Sequence, residues 1–98
     1  MRFDLTKAYL IRSDGFVNEI APENGTDFGL EELYRHLDCD TIQVIWPMPG
    51  TLMILDENSK SKRPYRINQI ATALTRDVLA HDDLIVGNAV LCPDSMMV

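Results

Sequence analysis

Apolar residues in this chain alternate between two periods, and the change of period marks out the elements. Lys7-Ala8-Tyr9-Leu10-Ile11 reads as a strand, and Phe16 to Ile20 as its return after Ser13-Asp14-Gly15, where Asp-Gly suits a tight hairpin turn. Pro22-Glu23-Asn24-Gly25 interrupts regular structure. Leu30, Leu33, Tyr34 and Leu37 then recur at helical spacing behind Gly29 as N-cap, with Phe28 and Leu33 placed for a hydrophobic staple and Glu31-Glu32 at the positive end of the helix dipole. Thr41–Trp46 and Thr51–Leu55 form a second hairpin across Pro47-Met48-Pro49-Gly50. Ile67, Ile70, Ala71, Leu74 and Val78 give a second helical stripe, and the dense apolar run Leu84–Leu91 predicts a covered final strand.

The order strand-strand-helix-strand-strand-helix-strand predicts an α+β fold, with two helices on one face of a mostly antiparallel five-stranded sheet. The final strand suits a central place, with a parallel neighbour as one option. Ninety-eight residues make one domain, with a core over residues 6–92 and a C-terminal tail over 93–98. The apolar end Met96-Met97-Val98 and the exposed edges of a small sheet predict a homo-oligomer.

Composition narrows the functional classes. A hydrophobic fraction of 46% with 24% charged residues is that of a folded domain, and a net charge of -6 opposes general nucleic-acid binding, which needs Lys and Arg against phosphates. The charge is unevenly spread: residues 1–40 hold four basic and nine acidic side chains, residues 41–98 five and six. Within the second part Lys60, Lys62, Arg63 and Arg66 crowd into one loop. No apolar run approaches the roughly 20 residues that cross a membrane, and no signal core follows Met1, so a cytoplasmic protein is expected. Cys39 and Cys92 form no CxxC pair and read as reduced thiols.

The chain's motifs resemble a family of small domains of unknown function numbered 3846, frequent in bacteriophages, plasmids and other mobile elements. The resemblance rests on Ala8-Tyr9-Leu10-Ile11 with Asp14-Gly15, on Leu30-Glu31-Glu32-Leu33, and on the apolar hairpin ending in Asp56-Glu57. It continues through Asn68 with Ala71 and through Asp83–Val90, and covers about Thr6 to Leu91, so that Cys92–Val98 extends past the usual end of the last strand. It transfers no catalytic residue. It implies a setting, the bacterial host cytoplasm, in which such proteins bind host components, including immune proteins and their nucleotide signals.

Chemistry is sparse. There is no nucleophile elbow and no glycine-rich phosphate loop, and adjacent carboxylates such as Asp56-Glu57 and Asp82-Asp83 point to opposite faces when extended and read as turns. His36, Cys39 and His81 lack the paired spacing of a zinc site. The expectation is therefore a non-catalytic binding protein without metal or cofactor. Two mechanisms compete. In one, Lys60, Lys62, Arg63, Tyr65, Arg66 and Asn68 take an anionic small molecule of nucleotide type and sequester it. Phosphate would lie at the start of the second helix, and a base on Tyr65. In the other, the acidic first forty residues meet a basic host protein, as an inhibitor or DNA mimic would. Asn68 also reads as an N-cap, Gly87-Asn88 as a bulge in the last strand ahead of a point where a ligand approaches the backbone, Trp46 as core or interface, and the basic loop as a solvated surface.

Overall fold

The computed structural model describes residues 2–97. Its strands are β1 (Ala8–Ile11), β2 (Val17–Ile20), β3 (Ile42–Met48), β4 (Thr51–Asp56) and β5 (Ala89–Pro93), and its helices α1 (Leu30–Leu37) and α2 (Gln69–Leu74). The strands make one sheet in the order β2-β1-β5-β4-β3, and every pairing is antiparallel. The α+β class and the element order match the sequence pattern, and β5 is central, though with no parallel neighbour.

The helices lie on opposite faces of the sheet, not on one. Side chains alternate along a strand, and β4 divides accordingly. Leu52 and Ile54 join Leu33 and Leu37 of α1, together with Phe28, Val90 and Cys92. Met53 and Leu55 join Ala71 of α2, together with Ile11, Ile85 and Leu91. All six residues of β4 are buried because both its faces are covered.

Local sequence explains most of the termini. The first hairpin closes with Arg12 N–H donating to the Phe16 carbonyl (2.8 Å), and Gly15 takes the left-handed conformation (φ 95°) that a three-residue loop needs. Gly29 caps α1 through its backbone alone, while Glu32 turns away and accepts from Glu23 N–H at 2.9 Å. Phe28 and Leu33 share one core cluster, as a staple requires. Leu30 departs from the predicted stripe: at the first helical position it faces solvent. Pro47 sits within β3, where a bulge leaves Trp46 and Pro47 opposite Leu52; β3 is an edge strand, which tolerates a missing donor. Trp46 is exposed and outside the core.

The C-terminal third differs most from its pattern. The helix stops at Leu74, and Val78 and Ile67 are exposed. Leu84–Asn88 is not part of the final strand: Val86 pairs with Ile67, Asn68 N–H donates to the Ile85 carbonyl (2.8 Å), and Ile85 N–H donates to Thr72 Oγ1 (2.9 Å). Gly87 (φ 83°) then redirects the chain into β5. That strand continues through Cys92 and Pro93, so the boundary drawn at residue 92 cuts through the sheet. Met96 and Met97 pack on the α1 side of the core, and the Met96 carbonyl accepts from Phe28 N–H at 2.7 Å. They offer no free apolar tail to a second subunit; Val98 lies outside the described residues.

Candidate functional site

Three strand ends meet at one end of the sheet: the end of β1, the end of β4 and the start of β5, with the C-terminal end of α1 beside them. The loop from β4 to α2 folds over this end and leaves a cleft of about 210 Å³. Its lining draws on the hairpin turn at Ser13, the end of α1 at Leu37 and Asp38, the end of β4 at Asp56, the loop residues Ser59, Lys62, Arg63, Pro64 and Arg66, and the segment Val86-Gly87-Asn88. Gly87 takes a positive φ (83°) that a side chain would strain, while a Cβ there would make only an ordinary 3.7 Å contact with Ser59 Cβ.

The four loop cations divide into two kinds. Lys60 pairs with Asp83, and Lys62 with Asp56 at 2.7 Å, its ammonium also donating to the Asp38 carbonyl at 2.8 Å. Hydrogen bonding to Asp56 raises the Lys62 pKa. These two lysines tether the loop. Arg63 donates only to the main-chain carbonyls of Lys60 and Lys62, and among the described residues neither Arg63 nor Arg66 meets a carboxylate. The cations of the cleft that meet no carboxylate are therefore two guanidinium groups, the side chains best suited to planar, bidentate contact with phosphate.

Three predicted site residues lie outside this lining, the first being Lys60, which pairs with Asp83. Asn68 is fully buried: Oδ1 accepts from Ala71 N–H (3.0 Å), and Nδ2 donates to the Ile11 and Gly87 carbonyls (2.9 Å each). Both amide protons are used and the side chain is sealed from solvent, so it presents nothing to a ligand. The start of α2 is thus capped internally and does not line the cleft. Tyr65 is exposed and outside the lining; the Arg63 guanidinium carbon lies 6.0 Å from its ring centroid, so the ring meets an arginine.

The sequence reading put the bulge first at Gly87-Asn88 and did not single out Ser13, Asp38 or Ser59. Asn88 Oδ1 accepts from Ser13 N–H at 3.0 Å, which orients its amide nitrogen as a donor with no protein partner, and the hydroxyls of Ser13 and Ser59 also make no hydrogen bond among the described residues. The signal available was Gly87-Asn88, a glycine where close backbone approach is possible followed by an amide.

Other chemistry is quiet. Burial raises the Cys39 pKa, with Asp56 adding to it, and pushes Cys92 up to about 11, so neither thiol is activated. Among the described residues no group of three or more His, Cys, Asp or Glu gathers to hold a metal, and no helix is long and apolar enough to cross a membrane. The acidic side chains of the first forty residues are largely engaged locally: Asp14 with Arg12, Glu19 with Lys7, Glu23 with Arg35, and Asp27 with Asn24 and Thr26.

No curated protein and no solved structure matches this chain. The family model described as a domain of unknown function, DUF3846, matches residues 6–96, which takes in all five strands and both helices, and the chain belongs to that family.

Proposed function

We propose that this protein is a non-catalytic binding protein that holds a small phosphorylated ligand, nucleotides being the first class to consider, in the cleft beneath the β4–α2 loop. One observation carries the reading: Arg63 and Arg66 line the cleft without a carboxylate partner, while the neighbouring lysines are spent on Asp56 and Asp83. Two guanidinium groups left unneutralised in a protein of net charge -6 hold an anion better than they serve solubility. In the mobile-element setting that the family resemblance implies, the same act is sequestration of a host nucleotide signal. The site does not draw on Tyr65 stacking or on the α2 N-terminus.

Calorimetric titration with inorganic phosphate, pyrophosphate and mono-, di- and cyclic nucleotides tests this against Arg63→Ala/Arg66→Ala. Binding to at least one anion, weakened about 100-fold by the double substitution, is expected if each charge-assisted contact supplies about 1.5 kcal/mol. Binding that the substitution leaves unchanged, or no binding at all, overturns the reading in favour of a solvated loop. A basic partner protein at the acidic face would then be the next reading to test.

A further inference from the structure

Size and charge placement together restrict what the cleft takes. Its volume of about 210 Å³ is below the roughly 300 Å³ at which sites for drug-sized molecules begin. A phosphate leaves space over, and a whole nucleotide leaves its base outside. The same lining carries Asp38, whose carboxylate makes no hydrogen bond and no close ion pair among the described residues, although it acts electrostatically on Lys62 and although Arg63 and Arg66 line the same cleft. Opposite charges that share a cleft without meeting leave a gap that a ligand with two different ends can bridge.

Asp38 is well fixed for such a role. It ends α1 in the left-handed conformation (φ 52°), its N–H is held by the Tyr34 carbonyl, and its own carbonyl receives the Lys62 ammonium. That ammonium also decides which donor the carboxylate suits. An ammonium on the ligand would be repelled by Lys62, Arg63 and Arg66, whereas neutral hydroxyls donate to a carboxylate without that cost. A pair of adjacent hydroxyls can use both carboxylate oxygens at once. Ser13, Ser59 and Asn88 supply further polar groups in the same lining.

We propose that the ligand's anion is attached to a vicinal diol, as in a pentose phosphate, with Arg63 and Arg66 on the phosphate and Asp38 accepting from the hydroxyls; this rests on the anion-binding reading above. The test is calorimetric titration of the full chain with inorganic phosphate, ribose 5-phosphate, 2-deoxyribose 5-phosphate and phosphoethanolamine. Asp38→Asn and Asp38→Gly serve as variants, since both residues accept the left-handed backbone. Ribose 5-phosphate should bind about tenfold more tightly than phosphate or the deoxy sugar, and both variants should erase that margin while phosphate binding persists. Equal affinity for the two sugars, a margin that survives both variants, or tighter binding of phosphoethanolamine overturns the assignment of Asp38 and leaves the anion site standing. Failure of all four compounds to bind removes both.

Discussion

Lys62 and Asp56 form an ion pair in which only the lysine reaches solvent: the Lys62 side chain is 48% exposed and that of Asp56 only 7%. The pair joins the basic loop to the end of β4, and through the Asp38 carbonyl to the end of α1. Removing the lysine leaves a covered carboxylate with Asn58 N–H (2.9 Å) as its remaining hydrogen-bond donor.

Lys62→Met keeps the aliphatic stem and removes the charge. It should cost about 1–3 kcal/mol, the penalty of an undersatisfied buried group. Because Lys62 is half-exposed, the low end of that range is expected. Adding Asp56→Asn should recover part of the loss. Thermal unfolding of the two single variants and the double variant checks it, and an additive double variant would deny the coupling.

Asn68 is expected to be worth more than a helix cap. Asn68→Ala removes the cap to Ala71 and leaves the buried carbonyls of Ile11 and Gly87 short of a donor, a loss of about 2–4 kcal/mol. Asn68→Asp restores a capping acceptor but turns a carboxylate toward two carbonyls. It should be no more stable than Asn68→Ala in denaturant titration, whereas a simple cap would be rescued by Asp.

The Asp83 carboxyl is held below its usual pKa, first by the hydrogen bond from Lys60 and then by Leu84 N–H. A lowered folded-state value means that this group adds stability that is complete above the unfolded value of 3.8 and disappears as pH falls through the folded one. The midpoint difference between wild type and Asp83→Asn should be constant from neutral pH to about 5 and shrink below pH 3.8. A difference that grows on acidification would contradict the assignment. Asp4 and Asp27, also lowered, are present in both proteins and drop out of the comparison.

The apolar pattern was enough for the class, both hairpins and the central place of β5, but not for the side of the sheet each helix takes. A strand buried on one face alternates, and that alternation assigns the cover. The run Leu52-Met53-Ile54-Leu55 does not alternate, and this near-continuity is itself the sign of cover on both faces. The frame of β5 was illegible for another reason. Leu84–Leu91 is apolar throughout, and the strand's start is set by what Ile67 and Arg66 do to Val86 and Gly87 from across the chain. At the candidate site, charge density marked the loop that lines the cleft, but only tertiary contacts separate Lys60 and Lys62, each paired with a carboxylate, from Arg63 and Arg66, which meet none among the described residues. Asp38 and Ser13 come from segments whose pattern marks only a helix end and a hairpin turn.

The central position of β5 has a kinetic consequence. The hairpins β1–β2 and β3–β4 can each close locally in microseconds, yet they do not touch in the sheet, because β5 pairs with β1 on one side and β4 on the other. Until residues 89–93 are inserted, two separate half-sheets each present an unpaired inner edge. Zipping both edges onto one five-residue segment depends on distant partners, which makes it the slow step of assembly. During that interval the apolar inner edges, above all Leu52–Leu55, are the part of the molecule most open to pairing with another nascent chain.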